Sequence, residues 1–291
     1  MASLIGIHPG IAAQRLKEQE YKINAIAKKM DPNAPHITAV MGKELTSIPW
    51  ANGDRRVISL PYLFLLKASD LRKEYQSLKI DDPMLQEDIY LDSFGVRAQK
   101  FFNLPKKSLD FIDKQIIRTF LQYISNPALA EKAKDFVLGH EVAHIMNQHD
   151  HNSADPIAML VESAFSGSTA LANATIFAIA IATGLWTTMP LVVLSCATAA
   201  TTTTVGYRII QESNHSHACE KDADLTSARH VKNAKEGGVY LFETFMKCQK
   251  NAREHSFLYR LLFNSDGDTR VLWLTHPYES ERASYLKQFK N

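Results

Sequence analysis

Residues 127–148 read PALAEKAKDFVLGHEVAHIMNQ. The run is rich in Ala, Leu, Glu and Lys, residues that lose little on entering a helix. A helix here sets His140 and His144 on one face, about 40° apart around the axis. Two imidazoles so placed can grip one metal ion, and Glu141 beside them can reach a water on that ion. Zinc is the expected ion, because it accepts imidazole nitrogen and carboxylate oxygen and keeps a position open for water and substrate. Val137, Leu138, Val142, Ala143, Ile145 and Met146 surround the motif with apolar bulk, as a buried site helix requires.

A catalytic zinc calls for a third protein ligand. In the pattern His-Glu-x-x-His-x-x-Gly-x-x-His, Asn147 stands at the Gly position and Asp150 at the last His position, with His149 one residue out of register. Asn tolerates the left-handed turn that Gly supplies, so Asp150 is one candidate. Glu220 is the other, within HACEKDADLTSARH at residues 217–230, which also reads as helix. Glu220 and Asp224 are four apart and share a face. Glu220 can ligate, and Asp224 can accept the second ring N–H of a ligand histidine and fix its tautomer. His215 and His217 crowd the same helix and offer further imidazoles.

Taken in order, His140-Glu141-x-x-His144, then Glu220-x-x-Ala223-Asp224, then Thr275-His276-Pro277-Tyr278-Glu279-Ser280-Glu281-Arg282, the motifs resemble the M48 family of zinc metallopeptidases, which includes HtpX-type membrane proteases and CAAX prenyl proteases. The resemblance covers roughly residues 37–286, with its specificity in about fifteen positions. It implies that His140, His144 and Glu220 bind one Zn2+ and that Glu141 is the general base. It implies further that His276 stabilises the transition state and that Arg282 anchors Asp224. It departs from the family at Gly139, where Ala is commoner, and at Tyr278, where a second Pro is common.

Composition narrows the rest. The chain has 291 residues, a net charge of +2 and three cysteines, Cys196, Cys219 and Cys248, without a CxxC pair. A disulfide framework and thiolate zinc are therefore not expected. No basic cluster interleaves with aromatics, so nucleic acid is not an expected partner. Met1–Ala13 lacks the basic start of a cleavable signal peptide.

Between Glu162 and Arg208 there is no Asp, Glu, Lys or Arg. Ser168–Trp186 and Leu191–Tyr207 each approach the roughly 20 residues of a membrane-spanning helix. The second carries Thr201–Thr204, whose hydroxyls can bond back to the preceding turn. The motif histidines precede this stretch and Glu220 follows it, so the chain has to leave and return on one side. Two spans are expected, with the catalytic part on the Lys- and Arg-bearing, cytoplasmic side.

Elsewhere, residues 36–48 and 56–63 are rich in β-branched residues and read as strands, with Ala51–Asp54 as the turn between them. Ile11–Met30, Leu63–Leu78, Lys106–Ser125, Ala128–His149, Ala218–Val231, Gly238–Ala252 and Glu279–Lys290 read as helices. Lys67–Glu87 reads as a solvated surface.

The expected fold is α+β and mainly α-helical: a zincin-like core with a small sheet beside the zinc helix and an inserted hydrophobic hairpin. The expected segments are 1–162, 163–207 and 208–291. The expected function is a membrane-associated zinc endopeptidase of gluzincin type. Its partners would be protein or peptide substrates, membrane proteins among them, and the lipid bilayer. The alternatives are an inactive scaffold of the same family with structural zinc, and a metallohydrolase acting on other bonds.

Overall fold

The structure is a computed structural model and describes residues 9–42, 49–69, 72, 122–149, 167–183, 185–255, 260–261, 263–270 and 276–290. The helix expected over Lys106–Ser125 lies mostly outside these residues, as do half of Leu63–Leu78, most of the surface Lys67–Glu87, and Asp150. The described chain is mainly helical with one three-stranded sheet. It divides into two compact units, one of Met1–His149, Lys221–Arg270 and Tyr278–Asn291, the other of Asp150–Glu220 and Val271–Pro277.

In the larger unit, helix α1 spans Pro9–Met30 and is followed by strands β1 (Thr38–Met41), β2 (Trp50–Asn52) and β3 (Val57–Leu60). A short helix α2 covers Tyr62–Leu65. The motif helix α3 runs Pro127–Met146. β3 is central, parallel to β1 and antiparallel to β2. Ala39, Ile58 and Ala51 stand in one cross-strand row, all buried, so a large side chain sits between two small ones under the helices.

The sheet differs from the sequence expectation: the strands read at 36–48 and 56–63 run parallel as β1 and β3 rather than flanking a shared turn, and the second ends at Leu60, with Tyr62 and Leu63 in α2. Ala51 and Asn52, read as turn residues, belong to β2. The side chain of Asn52 accepts from Arg55 N at 2.9 Å and Arg56 has φ 50°, which moves the turn to residues 53–56. An Asx-type bond of this kind lets the strand run up to the Asn itself.

α1 closes one side of the sheet. Thr38 N and Gly42 N donate to the carbonyls of Arg56 and Leu60, so the intervening Ala39 N–H points away from β3. It donates to Glu20 Oε2 at 2.9 Å. Asn24 holds the approach to β1, bonding Ile37 through both its amide nitrogen and its oxygen.

The core of this unit joins Ile23, Ile37, Ile58 and Leu60 to Phe136 and Leu138 of α3. A buried side chain of this size contributes about 1.5–3 kcal/mol. The core continues into α7 (Ala234–His255) and α8 (Glu279–Gln288), where Phe242 meets Phe136 edge-on at 5.8 Å. α3 is buried on several faces, so apolar residues surround its motif rather than forming one stripe. Its start is fixed by Pro127 and by Asn126, whose side chain accepts from Leu129 N at 3.2 Å, a strong N-terminal signal.

The smaller unit holds helix α4 (Gly167–Ala182), the short α5 (Leu185–Thr188) and the first part of α6, a helix that runs unbroken from Pro190 to His230. Asn173 of α4 and Thr201 of α6 hydrogen-bond at 2.8 Å. The hydroxyls of Thr175, Ser195, Thr198, Thr202 and Thr204 each donate to the carbonyl four residues earlier. Among the described residues no helix is long and apolar enough to cross a membrane. α4 has 16 residues, short of the roughly 20 a span needs. Leu191–Tyr207 is not a separate helix but the opening of α6.

Candidate metal centre

His140 and His144 face the same way from adjacent turns of α3, and their Nε2 atoms are 3.0 Å apart. The ring centroids are 4.5 Å apart with planes at 81°, so the two nitrogens converge from different directions. Glu220 of α6 completes the group: one ligand atom from each of the three residues lies within 4.8 Å of the others. All three are buried, at 7%, 2% and 6% exposure.

The donor set fits zinc. Two nitrogens bonded to one tetrahedral zinc at about 2.0–2.1 Å stand about 3.3 Å apart, close to the separation found. Two imidazoles and a carboxylate are a familiar zinc set. Burying a carboxylate against two imidazole lone pairs is costly unless a cation joins them. Among the described residues this is the group able to hold a metal. His215 and His217 are outside it; they face Cys219 and Ser213 respectively, each four residues away along α6.

Behind His140 stands Asp224, fully buried, with Oδ1 2.8 Å from His140 Nδ1. Arg282 of α8 grips the same carboxylate side-on, Nε to Oδ2 at 2.8 Å and Nη2 to Oδ1 at 2.7 Å, and Tyr285 donates its hydroxyl to Oδ2. Burial alone would push the Asp224 carboxyl up. The charge of Arg282, with hydrogen bonds from His140 and Arg282, outweighs it and holds the carboxyl below its usual range. An ionised carboxylate only accepts, so His140 keeps its hydrogen on Nδ1 and presents Nε2 as a lone pair.

Arg282 is itself positioned from several sides. Its guanidinium lies over the Phe242 ring at 4.4 Å. The start of α8 is capped from elsewhere: Asp268 accepts from Ser280 N and Oγ, both at 2.7 Å, while Glu279 accepts from Thr269 N at 3.1 Å.

Glu141, next on α3, is 6% exposed. His276 places Nε2 3.6 Å from Glu220 Oε1 and is about one-third exposed. Gly139 explains a departure noted in the sequence. A Cβ there would lie 2.3 Å from Ser227 Oγ and 2.7 Å from Val231 Cγ2, and Ser227 Oγ is held by its bond to Phe136 O at 2.8 Å. Ala does not fit where α6 crosses α3 this closely.

The end of α3 also corrects an expectation. Asn147, read as the left-handed residue, has φ −89°, and Gln148 takes that role with φ 55°. His149 N bonds His144 O and Gln148 N bonds Ile145 O, the bond pair of a Schellman turn. That turn folds His149 back over α3, where its Nδ1 reaches His144 Nδ1 at 3.1 Å. Reading the sequence for ligand register alone missed this contact and its continuation to Asp222.

No curated protein and no solved structure matches the chain. The profile of peptidase family M48 matches residues 116–290, a stretch that contains α3, α6 and α8 with every residue of the centre. On that match, and on a buried group of two histidines and a glutamate able to hold a metal ion, the chain belongs to peptidase family M48.

Proposed function

We propose that the chain is a zinc-dependent endopeptidase of gluzincin type. The observation that carries the reading is the convergence of His140, His144 and Glu220 with Glu141 adjacent on the same helix. When bound, zinc supplies a Lewis acid that polarises the scissile carbonyl and acidifies water. Asp224 holds His140 in its ligating tautomer. Glu141 takes a proton from the attacking water and hands it to the leaving amine. His276, partly exposed beside Glu220, donates to the developing oxyanion, a contribution typically worth a few kcal/mol. β2 lies at the edge of the sheet and packs on α3, where an extended peptide can add by main-chain bonds.

Membrane association, with the catalytic part facing the cytoplasm, belongs to the same reading. Leu171, Ile181, Leu191 and Val192 in α4 and α6 are more than half exposed. The hydroxyls of Thr175, Ser195, Thr198, Thr202 and Thr204 donate within their own helices, and Thr201 pairs with Asn173 of the neighbouring helix, as an apolar surround demands. HtpX-type relatives share the order of motifs.

The test is Glu141→Gln in purified full-length protein. It should retain about one equivalent of zinc and lose casein hydrolysis by orders of magnitude. Near-normal turnover would overturn the mechanism. Loss of casein cleavage by wild type with retained zinc would favour a structural metal or another hydrolysable bond.

A further inference from the structure

Two ligand histidines need two fixed tautomers. Asp224 provides for His140. For His144 the structure offers a longer arrangement at the end of α3. His144 Nδ1 and His149 Nδ1 are 3.1 Å apart, with ring centroids at 5.1 Å and planes at 74°. In the His140–His144 pair the nitrogens are as close, yet the centroids are only 4.5 Å apart. The longer centroid separation means that His144 and His149 meet nearly head-on, the approach of an N–H···N hydrogen bond. The ligand nitrogens of His140 and His144 instead converge sideways on a shared point. On its far side, His149 Nε2 lies 3.3 Å from Asp222 Oδ2, and the His149 side chain is 12% exposed. Asn147 Nδ2 donates to that same oxygen at 2.6 Å.

We propose that Asp222 and His149 form a positioning relay that fixes His144 with its hydrogen on Nδ1 and its lone pair on Nε2, toward the metal. The bookkeeping of hydrogens is short, because a neutral imidazole carries one. Asp222 only accepts, so His149 donates from Nε2. His149 Nδ1 is then a lone pair and accepts from His144 Nδ1–H. His144 Nε2 is left open on the side where His140 Nε2 stands. The inference rests on the functional reading above, since it takes His144 as a metal ligand.

The local backbone serves this arrangement. The Schellman turn bonds His149 N to His144 O at 3.0 Å, so backbone and side chain of the two residues are tied together. Asn147, the helix cap, steadies Asp222. The two aspartates stand two residues apart on α6, and each backs one histidine, Asp224 directly and Asp222 through His149. His149 is thus neither a misplaced ligand nor a surface imidazole. It is the partner through which His144 is linked to Asp222.

The test measures zinc affinity of the full chain by competition with a chromogenic chelator, together with the visible spectrum of the cobalt(II)-loaded protein. His149→Phe keeps a ring and removes both nitrogens; it should weaken zinc binding roughly 10- to 100-fold and shift the cobalt bands. His149→Gln keeps an acceptor and a donor on one planar group and should restore most of the affinity and the spectrum. Asp222→Ala, at a half-exposed position that does not threaten folding, should weaken zinc binding by a smaller factor. The double variant should bind no more weakly than His149→Phe alone, because both changes cut one path. Unchanged zinc affinity in Asp222→Ala and His149→Phe, or additive losses in the double variant, would overturn the relay. A wild-type protein that takes up no zinc would bring down the functional reading and the relay together; zinc-binding wild type with indifferent variants would bring down the relay alone.

Discussion

Arg282 and Asp224 meet side-on, two nitrogens on two oxygens at 2.8 and 2.7 Å, and the carboxylate so held is the one that orients His140. The pair therefore belongs to the fold and to the site at once. Asp224→Asn leaves a guanidinium in the core without its counter-charge and should cost about 3–5 kcal/mol, read by denaturant unfolding at neutral pH. The folded-state carboxyl titrates below its ordinary value. The stability it contributes is complete above the usual aspartate range and is lost as pH falls through the lowered value. The gap between wild type and Asp224→Asn should therefore be constant at neutral pH and shrink in acid. A gap independent of pH would contradict this account.

Gly139→Ala sets helix propensity against packing. Ala is favoured over Gly inside a helix by about 1 kcal/mol, but overpacking a closed contact costs roughly 1–3 kcal/mol. With Ser227 Oγ at 2.3 Å from the new Cβ, packing should win and the variant should unfold more easily than wild type. Adding Ser227→Ala removes the nearest atom, so the double variant should recover part of the loss. A stabilised single variant would show that α3 and α6 lie further apart than described.

Glu220→Ala removes a buried member of the metal group and should strongly weaken zinc binding, whereas Asp150→Ala should leave it near wild type. Metal content after dialysis against a weak chelator decides between them. Zinc lost in Asp150→Ala and kept in Glu220→Ala would reassign the third ligand.

The exposed apolar side chains of α4 and the start of α6 predict that the full chain sediments with membranes and resists alkaline carbonate. Replacing residues 168–206 by a short polar bridge should release a soluble protein that still binds zinc, since His140, His144 and Glu220 lie outside the deletion. Wild-type protein that stays monomeric in the supernatant without detergent would end the membrane proposal and leave the zinc proposal standing.

What the sequence announces and what it hides divide along physical lines. α3 is legible because caps, composition and motif agree: Asn126 and Pro127 open it, and the histidine spacing has meaning only on a helix. α1, α7 and α8 likewise fall where periodicity sets them, within a few residues. Metal chemistry demands a third donor but leaves Asp150 and Glu220 both open in the sequence; the resemblance to family M48 points to Glu220, which stands with His140 and His144 in one group able to hold a metal. The unbroken α6 was hidden by reading the return of charge at Arg208 as a boundary. Charge does not end a helix, and no Pro stands between Pro190 and His230. The three-residue β2 is too short to show alternation. The relay through His149 depends on a left-handed Gln148, and an L-residue with a side chain gives no sequence signal for that conformation.

The hydrogen bond from Ala39 N to Glu20 has a bearing on how the molecule behaves in a crowded solution. A sheet edge with open N–H groups is a template for any passing strand, including the same strand of another copy. With α1 lying along β1 and a glutamate already satisfying its outward amide, that border of the sheet is both occupied and negatively charged. Strand addition is thereby steered away from β1, so the chain resists edge-to-edge self-association there at the cost of a single side chain.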